Sequence, residues 1–66
     1  MKTLIIISTD DGETIYNAMR LANVAVQKED EVSVFMLGKG VRFETSGTEQ
    51  FDVMREIGKF QGDFYV

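Results

Sequence analysis

Four apolar residues in a row, Leu4-Ile5-Ile6-Ile7, constrain the fold of this chain more than any other feature. Three are β-branched isoleucines, whose stiff side chains suit a pleated strand, and a run without alternation fits a strand covered on both faces. Lys2 to Ser8 therefore reads as a strand in the middle of a sheet. Thr9-Asp10-Asp11-Gly12 closes it with turn-forming residues. Beyond that turn Ile15, Ala18, Met19, Ala22, Ala25 and Val26 recur at helical spacing, which predicts a helix from about Glu13 to Lys28. Asp10 or Asp11 caps it, and Asp10 with Glu13 has the spacing of a capping box. Its end, at Lys28-Glu29-Asp30, is marked less plainly.

Glu31 to Leu37 alternates, with Val32, Val34 and Met36 on one side and Phe35 and Leu37 on the other. Both sides are largely apolar, so this is a second strand buried on both faces. One helix between two strands makes a βαβ unit, whose strands are parallel and whose crossover is right-handed in nearly all cases. Gly38 to Gly47 reads as a loop of roughly ten residues, longer than is usual between strand and helix. Ser46-Gly47-Thr48-Glu49 repeats the helix-start chemistry, and Val53, Met54, Ile57 and Phe60 supply the apolar stripe of a helix over Thr48 to Phe60. Gly62 terminates it, and Asp63 to Val66 opens a third strand. Residues 1–66 thus read as a single α/β domain, a three-layer α/β/α arrangement with a parallel sheet and the succession β-α-β-α-β. The strand order expected is 2-1-3, that of half a flavodoxin-like sheet.

A chain of 66 residues with 44% hydrophobic and 27% charged residues has ordinary globular composition. Its longest apolar run is far too short to span a bilayer or serve as a secretory signal, so the expectation is a cytoplasmic protein without a membrane partner. Seven basic residues against eleven acidic ones, with a net charge of -4 and no basic cluster, argue against nucleic acid as a partner. The chain has neither cysteine nor histidine, which rules out disulfides, Cys/His zinc sites and catalysis by those side chains within it.

Few residues invite a functional reading. Asp10 and Asp11 are adjacent carboxylates at a strand's carboxyl end, where such pairs hold Mg²⁺ in the receiver domains of response regulators; helix capping accounts for them more simply. Gly38-Lys39-Gly40 permits close approach of an anion but lacks Walker and Rossmann spacing, so a strand-exit turn is favoured. Ser46, Gly47 and Thr48 can bind an anion through backbone amides or merely cap a helix. Arg42 and Phe43 suit either a subunit contact or a plain surface loop. Tyr16, Asn17 and Arg20 share one side of the first helix, read here as solvated, and the four methionines read as core packing. No residue receives a catalytic or cofactor-binding role.

The stretch MKTLIIISTDDGETIYNAMRLANVAVQKEDEVSVFMLGKGV resembles the opening of DsrE/DsrF-like proteins: an isoleucine-rich strand, a short polar turn, a helix with an NAMRLANVA core, then EVSVFMLGKGV. FDVMREIGKFQGDFYV resembles that family's second helix and third strand. The resemblance implies a small cytoplasmic protein of the intracellular sulfur-relay type that forms homo-oligomers or associates with related subunits. Family members are about twice this length, and several carry persulfide on a cysteine just beyond the third strand. No cysteine is present here, and the thiolate is the group that accepts sulfane sulfur. The resemblance therefore implies either a fragment, incomplete at its carboxyl end, or a non-catalytic subunit.

Overall fold

The computed structural model describes residues 1–66, and its elements follow the chain in a simple alternation. Strand β1 (Lys2–Ile7) leads into helix α1 (Gly12–Gln27), then strand β2 (Glu31–Met36). A 3₁₀ turn over Gly38–Arg42 runs into the short helix α2 (Phe43–Ser46). Helix α3 (Val53–Lys59) and strand β3 (Asp63–Tyr65) complete the fold. The three strands are parallel, with Ile5 opposite Val34 and Val34 opposite Phe64. The α/β class and the parallel sheet agree with the sequence reading.

The strand order does not. The sheet runs β1-β2-β3, so β2 is central and β1 lies at an edge, where 2-1-3 was expected. Right-handed crossovers that keep stepping in one direction along a sheet lay their helices on the same face, whereas reversing direction would place them on opposite faces. An order of 1-2-3 therefore gives two layers instead of three.

Burial records the same asymmetry. On one face, Ile7, Val32, Val34 and Met36 are buried, packed with Ile15, Met19 and Ala22 of α1 and Val53 of α3. Ile5, Phe43, Ile57 and Phe64 lean on this core from its rim. On the other face Leu4 and Ile6 remain 59% and 57% exposed, and Phe35 and Tyr65 are also exposed. The continuous apolar run of β1 thus has one covered side and one open side. Of the four methionines, Met19 and Met36 are core residues, while Met1 and Met54 are exposed.

Helix ends show where local chemistry prevailed. Asp11 caps α1, accepting from the backbone N–H of Thr14 at 2.9 Å. At the other end, the Glu29 N–H donates to Val26 and the Asp30 N–H to Ala25 (2.9 and 3.1 Å), the paired bonds of a Schellman motif. Glu29 takes the left-handed position with φ 67°, the only residue other than glycine to do so. Helix α3 starts at Val53 instead of Thr48 because Asp52 caps it, its carboxylate accepting from the Arg55 N–H at 3.1 Å. Thr48 is occupied in a turn of its own, accepting from the Phe51 N–H at 3.0 Å while its N–H donates to the Phe51 carbonyl at 2.9 Å.

Candidate functional site

In open parallel sheets, ligands settle in a crevice at the carboxyl ends of the strands. Here the chain's own backbone packs against that end of β1. The Gly38–Arg42 turn folds back over β1, and a Cβ at Gly40 would run into the carbonyl of Ile7. The Leu37 N–H donates to that same carbonyl at 2.9 Å. Gly12 approaches the Ser46 carbonyl so closely that a side chain there would collide with it. Gly38 exits β2 with φ 52°, a conformation that glycine adopts without strain. Gly38-Lys39-Gly40 is thus a strand-exit turn packed on β1.

The two aspartates are each engaged. Asp11 accepts from the Thr14 hydroxyl at 2.6 Å as well as from its N–H, and the hydroxyl bond, then the backbone bond, hold its carboxyl below the ordinary aspartate value. Asp10 faces Arg42, Oδ2 to Nη1, at 3.6 Å. That pair ties the turn before α1 to the turn before α2. Asp10 pairs with Arg42, and Glu13 makes no reciprocal capping bond, so the capping box expected at 10 and 13 is replaced by an Asp11–Thr14 cap. The chain brings no three acidic groups together in a cluster fit for a metal ion.

Other residues singled out in the sequence divide between packing and surface. Phe43 meets Phe64 edge to face at 5.4 Å, so it seals the core instead of projecting outward. Ser46 donates to the Arg42 carbonyl at 2.8 Å, a contact internal to α2 and its approach. Tyr16 packs edge to face on Phe51 at 5.6 Å, with the Arg20 guanidinium 5.8 Å from its ring, while Asn17 is exposed.

Sequence reasoning missed a polar brace between α1 and α3. The Asn23 amide donates to the Glu56 carbonyl at 3.0 Å and to its carboxylate at 3.3 Å, and Lys59 donates to the same carboxylate at 3.2 Å. Glu56 is only 7% exposed. Arg20, Gln27 and Gln61 border the resulting cleft of about 310 Å³. Every buried side-chain polar atom in the molecule has a partner. The buried atoms of the brace are therefore all paired, and its contacts hold α3 against α1. Asn23 and Glu56 are 33 positions apart, and only the packing of α3 on α1 brings them together.

What remains open is the uncovered face of the sheet. Parallel register arranges it in rows: Lys2 beside Glu31; Leu4, Ser33 and Asp63; then Ile6, Phe35 and Tyr65. The third row carries one aliphatic and two aromatic side chains, and Phe35 and Tyr65 stack with ring centroids 4.7 Å apart. A shallow depression of about 580 Å³ spans Leu4, Ser33, Phe35 and Tyr65, with Lys2, Glu31 and Asp63 at its charged end. All-parallel sheets are almost always covered on both faces, and a contiguous exposed apolar patch marks a contact surface. No helix of the molecule is long and apolar enough to cross a membrane. Comparison of the chain with protein-family models, with curated proteins and with solved structures gave no match.

Proposed function

We propose that this chain is a DsrE/DsrF-like subunit of the intracellular sulfur-relay type that works by association, without carrying sulfur itself. The observation that carries the reading is the open sheet face, an apolar row of Ile6, Phe35 and Tyr65 in a chain that has no cysteine or histidine. The turn over Gly38–Arg42 adds to it, since it packs its backbone against the carboxyl end of β1. The resemblance to DsrE/DsrF-like proteins supplies the biological context, and the stretches that carry it lie along β1, α1, β2, α3 and β3.

Two measurements test this. Incubation with polysulfide followed by intact-mass analysis is expected to leave the 7.5 kDa chain without added sulfur. A dye that reports exposed apolar surface is expected to bind the dilute protein and to lose most of its signal in Ile6→Glu. A chain that gains sulfur atoms contradicts the non-carrying role. A wild type that shows neither dye binding nor association contradicts the docking face.

A further inference from the structure

Resting on the association reading, we infer that the outer edge of β1 takes up an extended segment of a partner protein as a further, antiparallel strand of the sheet. Strand β1 pairs with β2 alone, so its other edge is free. Which backbone groups lie on that edge follows from the ladder. The Met1 and Ile7 carbonyls accept from the Glu31 and Leu37 N–H groups at 2.9 Å, so the odd-numbered residues turn their backbone groups toward β2. The residues between them turn the opposite way. Lys2, Leu4 and Ile6 therefore each hold an N–H and a C=O outward, and no turn, loop or cap bond reaches them.

This edge lacks the features that discourage strand addition. Exposed edges are commonly blunted by brevity, proline, bulges or inward-pointing charge. Strand β3, on the far side of the sheet, is three residues long and opens on Asp63. Strand β1 has six residues without proline or glycine, a continuous register and a single charge at its first position. An extended peptide backbone repeats donor and acceptor at the two-residue spacing that Lys2, Leu4 and Ile6 present, so the hydrogen-bonding pattern itself selects the occupant. Antiparallel addition is favoured because such pairing is slightly more stable per residue, and an antiparallel edge strand on a parallel sheet is common.

Side chains of the incoming strand are chosen by their neighbours on the open face. On β2 the places beside Lys2 and Ile6 hold Glu31 and Phe35, with the Lys2 ammonium 3.9 Å from the Glu31 carboxylate. The same preferences on the outer side call for an apolar residue beside Ile6, another beside Leu4 and an acidic one beside Lys2. Along an antiparallel partner the pattern runs apolar-x-apolar-x-acidic. Strand β1 carries no acidic residue, so a second copy pairing edge to edge gives Lys2 no acidic neighbour on that side, and a foreign segment fits better.

Amide NMR of the whole chain with the peptide acetyl-Val-Thr-Val-Thr-Glu-amide, raised to millimolar concentration, tests this. In the free chain the Leu4 and Ile6 amides should exchange with solvent much faster than that of Ile5; with the peptide they should shift downfield and gain protection severalfold. N-methylation of the central valine removes an N–H aimed at β1 and should abolish the effect, whereas N-methylation of the first threonine, whose N–H points away, should leave it intact. Lys2→Glu should weaken binding severalfold, and replacing the peptide's glutamate by lysine should restore it. Leu4 and Ile6 amides already protected in the dilute free chain, no shift at millimolar peptide, or an equal response to both N-methylated peptides overturns the proposal. Shifts confined to Ser33, Phe35 and Tyr65 also overturn it, placing the peptide on the open face instead of its edge. In any of those cases, dye binding that Ile6→Glu abolishes leaves the association reading standing; a chain that binds no dye either sinks both.

Discussion

Asp11 and Glu29 bracket α1, and both can be tested singly. Asp11 accepts two hydrogen bonds from Thr14, which stabilise its ionised form and lower its pKa from the ordinary 3.8. A carboxyl with a depressed folded pKa contributes stability above its unfolded value and loses it as pH falls through the folded one. Asp11→Ala should therefore lower the melting temperature at pH 7. The deficit should shrink progressively below about pH 4 as the wild-type carboxyl protonates. Thermal melts of both proteins between pH 7 and pH 2.5 would show this; a deficit that does not change with pH would mean the charge is irrelevant. Glu29 presents the opposite case, a residue held in a left-handed conformation that favours glycine. Glu29→Gly relieves that conformational cost and gains unfolded-state entropy in return, so a net stabilisation of about 0.5–1 kcal/mol is expected by urea denaturation. The Asp-Asp-Gly turn was legible as a capping signal, but which aspartate capped was not. That depended on Arg42, 32 positions away, pairing with Asp10.

At the scale of elements, β1, α1 and β2 were read from the sequence to within a residue or two, because each carries its own periodicity and turn chemistry. The region from Gly38 to Asp52 was not. It contains a 3₁₀ turn and a short helix where a loop was expected, and α3 begins at Val53 instead of Thr48. The cause is local competition. The Thr45 and Ser46 hydroxyls both donate to the Arg42 carbonyl, closing one short helix, while Thr48 closes a separate turn on Phe51. Side-chain hydroxyls of this kind compete with helix propagation, and capping signals alone do not say which of two neighbouring starts prevails. A helix of seven residues such as α3 has little stability of its own and depends on docking to α1. Asn23→Ala removes a donor from the nearly buried Glu56 carbonyl and carboxylate. It should cost about 1–3 kcal/mol in urea denaturation, with faster hydrogen exchange concentrated in α3. Exchange unchanged in α3 would show that apolar packing by Val53 and Ile57 holds the helix without the brace.

The whole molecule is where reading from sequence departed furthest from the structure. Ile5, Ile6 and Ile7 are chemically alike, and an unbroken apolar strand reads as covered on both sides whether its second cover comes from the same chain or from another. Strand order is likewise silent in local periodicity, since both 1-2-3 and 2-1-3 satisfy every helix and strand pattern in the sequence. With one face open, the core is small: eight buried apolar residues in a chain of 66. Met19 is fully buried at its centre, so Met19→Ala should cost about 2–5 kcal/mol, a large share of the stability of a domain this size. Cooperative melting that persists with little change in that variant would mean the core lies elsewhere.

The parallel sheet is covered by helices on one face and open on the other. Methyl NMR with a soluble paramagnetic agent tests it most directly, at a concentration low enough to keep the chain monomeric. The account predicts strong broadening of the Leu4 and Ile6 methyls, with Ile7, Ile15, Val34 and Val53 protected. Equal protection of Ile6 and Ile7 in the dilute monomer would contradict the two-layer fold and the docking face together.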